Sequence, residues 1–268
     1  MKKAQPSSFN HQYKKKGDNL TPFETYSKHS NALDVSIKQL RDILLGIKGN
    51  SLEILDVGCS DGLFLISSLP KEKNMRITFL EPSKDPFEKL KKNTKQNKEW
   101  VCINQTFEEF YQNNKEKYDI VLASHLYHFP REEYQELLSQ LTSLLKDSGI
   151  LIWIERGVDE ITDFKKRFKT MLLPSKYPKN WIPRNYKRVL EILKRKEGNT
   201  KLIQNNSVLK FPYTQELDDV IAIVEFFLNI EWNSIPRTVQ EEILEYIIEK
   251  KGILQEEEGI VVYSKHRD

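Results

Sequence analysis

The feature that most constrains the fold of this chain is a short polar loop between two apolar runs. Residues 54–57 are apolar except for Asp56, and residues 63–66 are apolar again. The loop between the two runs begins at Gly58 and ends at Gly62. Glycine lets the backbone turn sharply and come close to a ligand. The pattern therefore predicts a buried strand, a tight turn and the start of a helix.

A second acid, Glu81, ends the next strand-like run, which covers residues 76–80. In open parallel sheets, ligands bind beyond the carboxyl ends of the strands. A carboxylate at that position can accept hydrogen bonds from both vicinal hydroxyls of a ribose. Asp56 and Glu81 together therefore indicate a site for a nucleoside cofactor.

Three kinds of nucleotide-binding loop could account for this pattern. A phosphate-binding loop of the Gly-x-x-x-x-Gly-Lys-Ser/Thr type requires a lysine, and none follows Gly62. A dinucleotide fold favours Gly-x-Gly-x-x-Gly, and this loop lacks the first close pair of glycines. The stretch instead resembles the Asp-x-Gly-x-x-x-Gly loop of class I S-adenosylmethionine-dependent methyltransferases. In that comparison, Glu81 takes the place of the acid that holds the ribose.

The order of the predicted elements agrees with the fold of that family. Strands are predicted at residues 52–57, 75–81, 100–104, 118–124 and 149–155. Helices alternate with them, which implies a parallel sheet with right-handed crossovers. Two later strands are predicted at residues 201–211 and 259–264. The resemblance implies an α/β fold with a Rossmann-like seven-stranded sheet that is mostly parallel, an antiparallel last strand and a helical lid.

This organisation divides the chain into four segments. Residues 1–50 are predicted to form an N-terminal arm and helices that cover the active site, and residues 51–156 the cofactor-binding core. Residues 157–258 are expected to supply the lid and substrate-binding helices together with the sixth strand. Residues 259–268 are expected to supply the final core strand.

Composition excludes several classes of protein. The 268 residues contain no apolar run long enough to predict a membrane span. The first residues include two lysines but no apolar stretch, so no secretory signal is expected. Cys59 and Cys102 do not make a disulfide framework or a metal site. We therefore expect a protein of the reducing cytoplasm.

Charge is distributed unevenly along the chain. The net charge of +3 is too small to indicate nucleic-acid binding. Residues 164–201, however, hold thirteen Lys or Arg residues against two acids, and residues 214–258 hold twelve acids against three bases. Oppositely charged segments can pack together or face a charged ligand. A basic platform for an RNA or protein substrate therefore stays open as an alternative.

The resemblance assigns cofactor-binding roles to residues at the ends of the first four predicted strands. In class I enzymes the first acid, here Asp56, organises the loop and the methionine end of the cofactor. Ser60 and Asp61 can hydrogen-bond the carboxylate or ammonium of the methionine part. The position after the third strand contacts adenine in this fold, which points to Thr106 and Phe107. The complete predicted set is Asp56, Gly58, Ser60, Asp61, Gly62, Glu81, Pro82, Thr106, Phe107 and Ser124.

The fourth strand ends where the donor and the acceptor of the methyl group are expected to meet. Ser124 is expected beside the cofactor, and His125 is the candidate catalytic residue. An amine acceptor must lose a proton, and histidine suits that task near neutral pH. In-line transfer requires mainly alignment of the reacting atoms. His125 therefore acts either as a base or only as a group that positions the acceptor.

The same stretch argues against three other methylation chemistries. Residues 124–127 do not match the Asn/Asp-Pro-Pro-aromatic motif of enzymes that methylate amino groups of DNA bases. Neither cysteine is placed for attack on cytosine C5. No carboxylate cluster follows the strand to hold the metal of catechol-type enzymes. These points predict metal-independent transfer.

Beyond the core, the chain resembles histamine N-methyltransferases and related small-molecule enzymes. Residues 26–31 are similar to that family's segment ahead of the first helix, and residues 81–83 match its Glu-Pro-Ser. His125 stands where that family has a glutamine that contacts the substrate. The candidate substrate-binding residues are Tyr26, His29, His125, His128, Arg156 and Trp181.

The sequence thus predicts an S-adenosylmethionine-dependent methyltransferase that acts on nitrogen or oxygen of a small-molecule acceptor by in-line displacement. We expect it to be a monomer or a homodimer. Two alternatives stay open. One is an RNA or protein methyltransferase, and the other is a protein that binds S-adenosylmethionine without transferring a methyl group.

Overall fold

A computed structural model describes residues 20–126, 129–214 and 216–265. In these ranges the strands are β1 (Ser51–Val57), β2 (Asn74–Leu80), β3 (Val101–Ile103), β4 (Tyr118–Ser124), β5 (Leu145–Arg156), β6 (Asn199–Lys210) and β7 (Ile253–Ser264). The helices are α1 (Pro22–His29), α2 (Ala32–Gly46), α3 (Leu63–Ser68), α4 (Lys84–Thr94), α5 (Phe107–Asn113), α6 (Tyr134–Ser143), α7 (Glu160–Leu172), α8 (Lys187–Lys194), α9 (Leu217–Leu228) and α10 (Arg237–Glu249). None of these described helices combines the length and the apolar character needed to cross a bilayer.

The strands of the described residues form one sheet in the order β3-β2-β1-β4-β5-β7-β6. Strands β1 to β5 pair with their neighbours in parallel, and β7 pairs with β5 in antiparallel fashion. The N–H of Phe211, just after β6, donates to the carbonyl of Gly252, just before β7, at 2.7 Å. Strands β6 and β7 therefore also run antiparallel. The predicted seven-stranded, mostly parallel sheet with an antiparallel last strand is confirmed, and that strand lies between the fifth and the sixth.

The central strands are apolar on both faces because helices cover both faces of the sheet. Successive side chains of a strand point to opposite faces, so Trp153 of β5 joins one apolar cluster and Ile152 joins the other. Leu138 of α6 and Val189 of α8 pack on the Trp153 side. Leu40 of α2 packs on the Ile152 side. The sheet thus lies between two layers of helices, and side chains of β5 contribute to the apolar cluster on each face.

The described residues group into two compact units. The core unit is drawn from the segments Asp34–Gly157, Arg184–Asn205 and Glu258–Asp268. The second unit is drawn from the segments Met1–Leu33, Val158–Pro183 and Asn206–Glu257. Both apolar clusters of the sheet lie in the core unit.

The second unit has an apolar cluster of its own, to which α1, α7, α9 and α10 contribute. Phe164 of α7 and Phe227 of α9 meet edge to face, with ring centroids 5.9 Å apart. Tyr26 of α1 stacks on Phe226 at 5.0 Å. Aromatic pairs at such distances add stability beyond their buried area. The lid role of residues 157–258, the four-segment division, the oligomeric state and the cellular location stay predictions.

Strand β7 is longer than the sequence predicts, because it begins at Ile253 rather than at residue 259. The acids at positions 256–258 resemble a solvated loop in the sequence. In the structure, Glu256 is only 2% exposed, and its carboxylate accepts hydrogen bonds from the hydroxyls of Tyr26 and Ser30. Distant partners therefore stabilise a strand whose own sequence is polar.

Replacement of Leu122 tests the position of β4 at the centre of the sheet. Leu122 is 1% exposed, so Leu122→Ala should lower the free energy of unfolding by about 2–5 kcal/mol through lost packing and a residual cavity. Val101 of the edge strand β3 is 52% exposed, and Val101→Ala should cost less than about 1 kcal/mol. Urea denaturation followed by circular dichroism measures both losses. Equal losses would contradict the central position of β4.

Candidate active site

The glycine loop is held against the end of β2 by backbone hydrogen bonds. The N–H groups of Gly58 and Cys59 both donate to the carbonyl of Leu80, at 2.8 and 3.1 Å. Gly58 and Gly62 adopt the left-handed conformation, with φ of 67° and 76°. Glycine reaches this region without a steric penalty. The two glycines thus make the tight turn that follows β1.

Glu81 connects the glycine loop to the segment after β2. The residue is 6% exposed. One carboxylate oxygen accepts the N–H of Ser60 at 2.9 Å, and the other accepts the N–H of Ser83 at 2.7 Å. Each carboxylate oxygen has about two lone-pair positions. Both oxygens therefore keep a position for a further donor, such as a ribose hydroxyl.

Asp56 is buried beside Glu81 and is 3% exposed. Burial, and then the negative charge of Glu81, raises the pKa of Asp56 to about 8. The Asp56 carboxyl is therefore mostly protonated at neutral pH. A cation placed next to it would favour the ionised form. Two neighbouring buried carboxyl groups suit a positively charged ligand better than a phosphate.

The rest of the loop leads directly into α3. The carboxylate of Asp61 accepts the N–H of Leu63 at 3.1 Å, which satisfies one of the free donors at the start of the helix. A Cβ built on Gly62 would lie 2.6 Å from Cδ1 of Leu90, so a side chain there would displace Leu90 in addition to straining a φ of 76°. Ser60 is exposed and has a positive φ of 55°. These contacts place the predicted loop residues together at the carboxyl ends of β1 and β2.

The residues predicted to contact adenine have partners within the protein. The hydroxyl of Thr106 caps α5 by accepting the N–H of Glu109 at 3.3 Å. Phe107 is 4% exposed and packs edge to face against Phe129, with ring centroids 6.3 Å apart. The carbonyl of Pro82 accepts a hydrogen bond from Asn104 at 3.1 Å. Capping and core packing account for these positions, and their role toward adenine stays a prediction.

His125 follows the end of β4 and takes part in two hydrogen bonds across the sheet. Its N–H donates to the carbonyl of Ile154 in β5 at 2.9 Å. Its Nε2 lies 2.9 Å from Oε2 of Glu258 in β7. The hydroxyl of Ser36 donates to the other oxygen of Glu258. A Cβ built on Gly58 would lie 2.6 Å from Cδ2 of Leu126, so the segment after Ser124 lies against the glycine loop.

A second acid lies at the end of β5. Glu155 is 2% exposed and accepts hydrogen bonds from the hydroxyl of Tyr134 at 3.0 Å and from Nε1 of Trp153 at 3.3 Å. Burial raises the pKa of Glu155, although these two donors and the positive charge of Arg184 act in the opposite direction. The guanidinium of Arg184 lies 5.9 Å from the ring centroid of Tyr134. The end of β5 thus carries a buried carboxyl group with a fixed set of donors.

Sequence reasoning missed Ser36, Glu155 and Glu258. The position of Glu155 at the end of a strand was a usable signal, because ligands bind beyond the strand ends of such sheets. No local signal pointed to Glu258, which lies 133 positions from His125. Ser36 sits within a helical pattern in which serine is unremarkable. These residues come together only when β7 inserts beside β5.

The predicted substrate-binding residues are divided between the two units. In the core unit, Arg156 is the register partner of Glu258. In the second unit, the hydroxyl of Tyr26 donates to Glu256 at 2.5 Å, and His29 Nε2 lies 2.7 Å from Asp219. In the same unit, Trp181 packs edge to face with Tyr177 at 4.7 Å between ring centroids. His128 lies outside the described residues.

Within the described residues, the only group of three potential metal ligands is His29, Glu216 and Asp219 of the second unit. Lys28 Nζ donates to Glu216 at 3.2 Å and to Asp219 at 3.0 Å. Burial opposes ionisation of Asp219, but the hydrogen bonds from His29 and Lys28 lower its pKa to about 2. An ammonium group therefore already compensates these carboxylates, and metal independence of the reaction stays a prediction.

Comparison with known proteins supports the interpretation of the core. Residues 55–151 match the family Methyltransf_12, described as a methyltransferase domain. A curated relative, malonyl-[acyl-carrier protein] O-methyltransferase 2 of Ilyobacter polytropus, is 27% identical over 139 residues. That match covers 52% of this chain and 52% of the relative, so the chain matches about half of the relative's length.

Solved structures of similar fold extend over most of the chain. Protein BH2331 of Bacillus halodurans C-125 has a TM-score of 0.55 at 14% identity, over 86% of this chain and 99% of its own. The YcgJ protein of Bacillus subtilis has a TM-score of 0.55 at 11% identity, with the same coverage. Mycolic acid cyclopropane synthase CmaA1, solved with SAH and CTAB, has a TM-score of 0.50 at 12% identity, over 86% of this chain and 83% of its own. At these identities the likeness establishes the fold.

Residues 55–151 thus form a methyltransferase domain, and the strand order is that of the class I, S-adenosylmethionine-dependent fold. S-adenosylmethionine is its cofactor, and when bound it supplies an electrophilic methyl group on a sulfonium sulfur. The described residues fit that cofactor at two points. Buried Glu81 keeps acceptor positions for ribose hydroxyls. Gly58 and Gly62 turn the loop at positive φ, which lets its backbone come close to a ligand.

Substitution of Gly58 tests the cofactor site. Gly58→Arg should abolish binding of S-adenosylhomocysteine, because a Cβ there would lie 2.6 Å from Leu126 on a backbone with a φ of 67°. Isothermal titration calorimetry measures the Kd. Gly46→Arg is the matched control, because no atom lies within 4 Å of a Cβ at Gly46. Unchanged affinity in Gly58→Arg would rule out this loop as the cofactor site.

The raised pKa of Asp56 predicts proton release when the cofactor binds. With a pKa of about 8, Asp56 is mostly protonated in the free protein at neutral pH. A bound sulfonium and ammonium would stabilise the ionised form, so the pKa falls and up to one proton leaves. Affinity for S-adenosylmethionine should rise with pH up to about 8 and then level off.

Calorimetry in buffers of different ionisation enthalpy counts the protons released at neutral pH. The amino group of S-adenosylmethionine also titrates in this range, so Asp56→Asn is measured beside the wild type. The difference in proton release between the wild type and Asp56→Asn is the number of protons that Asp56 releases. Equal release from both proteins would show that Asp56 does not respond to the bound cation.

Proposed function

We propose that this methyltransferase methylates nitrogen or oxygen of a small-molecule acceptor by in-line displacement, without a metal. The observation that carries the proposal is the histidine after β4. His125 Nε2 lies 2.9 Å from Glu258, and the following residue, Leu126, lies against Gly58 of the glycine loop. A titratable imidazole is thus found at the edge of the sheet where ligands of open α/β folds bind.

An acceptor N–H or O–H group loses a proton when it gains a methyl group. Histidine exchanges protons near neutral pH, and a positioned base contributes about 10²–10⁴-fold to a rate. Ser124 and His125 would then align the acceptor with the methyl group, which is the main requirement of in-line displacement. This chemistry supports His125 as the residue that receives the proton.

Buried acids near His125 favour an amine among these acceptors. Glu155 lies near the end of β5, and Glu258 of β7 is the register partner of the last β5 residue, Arg156. Carboxyl groups favour a neighbouring positive charge and disfavour a negative one. An amine acceptor is therefore the first candidate, in line with the resemblance to histamine N-methyltransferases. The name of the curated relative, an O-methyltransferase, supports oxygen as the second candidate.

Methylation of RNA or protein is a second candidate function. It is favoured by the excess of basic residues in 164–201. In the core unit, Arg188, Arg195 and Lys196 line a surface cavity of about 220 Å³. Phosphate groups of RNA bind such basic surfaces in a salt-dependent manner. A protein that binds S-adenosylmethionine without transfer is the remaining alternative.

Transfer of tritium-labelled methyl groups from S-adenosylmethionine to a panel of acceptors tests the proposal. The panel contains histamine, sarcosine, malonic acid, bulk transfer RNA and histone. We expect label in a small amine and none in RNA or histone. His125→Ala should slow methylation of that amine by about 100-fold while leaving the Kd for S-adenosylhomocysteine unchanged.

Each alternative predicts a different result. Label in transfer RNA or histone, without label in small molecules, would contradict a small-molecule acceptor. Tight binding of S-adenosylmethionine without transfer to any panel member would support a non-catalytic protein. Equal turnover by His125→Ala and the wild type would limit His125 to a scaffold role.

A further inference from the structure

We propose that Glu258 is the positioning residue of His125. It determines which ring nitrogen of His125 carries the proton, because it holds that proton on Nε2. The proposal rests on the methyl transfer proposed above and adds a residue from the far end of the chain. Its evidence is the geometry around the end of β5.

The contact between His125 and Glu258 crosses a strand. Strands β4 and β7 flank β5 on opposite sides. The N–H of His125 donates to the carbonyl of Ile154, and Glu258 is the register partner of Arg156, two residues further along β5. The imidazole therefore reaches over the end of β5, and its Nε2 lies 2.9 Å from Oε2 of Glu258.

Glu258 is an ionised carboxylate that accepts from two donors. Burial opposes its ionisation, but the hydrogen bonds from His125 and Ser36 hold its pKa below the usual value. Ser36 donates to Oε1, and Oε2 faces His125. An ionised carboxylate has no proton to donate. Nε2 of His125 must therefore carry the proton, and the lone pair of the neutral ring lies on Nδ1.

The backbone of His125 is also restrained. Its φ of 51° lies in the left-handed region, which is uncommon for residues other than glycine. Such conformations cost roughly 1–3 kcal/mol and persist where the surroundings hold them. The backbone of His125 is held by Ile154 and its ring by Glu258. A strained residue whose backbone and side chain are both held by hydrogen bonds is typical of a functional group that must keep one orientation.

The proposed step conserves atoms and charge. The acceptor nitrogen forms a bond to the methyl carbon while the bond from that carbon to sulfur breaks. The positive charge would pass from sulfur to the acceptor nitrogen, whose proton would then move to the imidazole of His125. The resulting imidazolium lies beside the carboxylate of Glu258, which stabilises it. Loss of that carboxylate should slow proton transfer without affecting the glycine loop.

Nuclear magnetic resonance tests this assignment on the full chain. Two-bond ¹H–¹⁵N correlation spectra of protein labelled with ¹⁵N-histidine, recorded where the imidazole is neutral, distinguish protonation at Nε2 from protonation at Nδ1. Comparison with His125→Gln assigns the signals. The wild type should carry the proton on Nε2. Glu258→Gln should move it to Nδ1, because the glutamine oxygen still accepts from Ser36 and its NH₂ group then donates to His125.

Two further variants serve as controls. Ser36→Ala removes one donor to Glu258 but keeps the carboxylate, so the proton should stay on Nε2. Glu99→Gln changes an exposed acid of the core unit and should leave the spectrum unchanged. Calorimetry with S-adenosylhomocysteine establishes that each variant is folded and binds the ligand.

Turnover gives a second measurement. With the panel amine that the wild type methylates, Glu258→Gln should be about 100-fold slower at an unchanged Kd for S-adenosylhomocysteine. If the spectrum of the wild type showed the proton on Nδ1, the positioning role would be refuted by the wild-type protein alone. A Glu258→Gln spectrum identical to that of the wild type would also refute it. If no panel compound is methylated, the proposed function fails while the spectra still decide the role of Glu258.

Discussion

The carboxylate of Glu81 is the interaction on which the cofactor edge of the sheet depends. It accepts one N–H from the glycine loop, at Ser60, and one from the segment after β2, at Ser83. A buried carboxylate is unfavourable unless it is hydrogen-bonded, so the acid and the loop hold each other in place. The turn is therefore formed before a ligand arrives, and less free energy is needed to order it on binding.

The chain topology brings carboxyl groups to one edge of the core unit. Asp56 and Glu81 reach it because parallel strands end on the same side. Glu155 ends the fifth strand, and Glu258 arrives on the antiparallel strand, aligned with Arg156. Burial raises the pKa values of Asp56 and Glu155, whereas hydrogen bonds lower that of Glu258. Carboxyl groups at one edge of the sheet thus differ in how readily they ionise, according to their burial and their donors.

Much of the fold could be predicted because its signals are local. Strand β4 has the predicted bounds, since an apolar run marks it. The start of β7 could not be predicted, because Glu256 is stabilised by Tyr26 and Ser30, 230 and 226 positions away. The same contrast holds for the site. One strand-loop-helix segment and the strand after it contain the local pattern of Asp56, Gly58, Gly62 and Glu81. Glu258, the partner of His125, lies 133 positions from that histidine and belongs to no local pattern.

The sequence by itself determined the class of fold, the cofactor and the candidate residues that follow each strand, because glycine conformation and strand-end position are properties of short segments. Only the tertiary structure decided which acid accompanies His125 and in which direction the pKa values of Asp56, Glu155 and Glu258 are shifted. Those properties depend on burial and on donors from distant strands and helices. Glu258 illustrates the difference: one of three consecutive acids in the sequence, it becomes the hydrogen-bond partner of a histidine through the antiparallel insertion of β7.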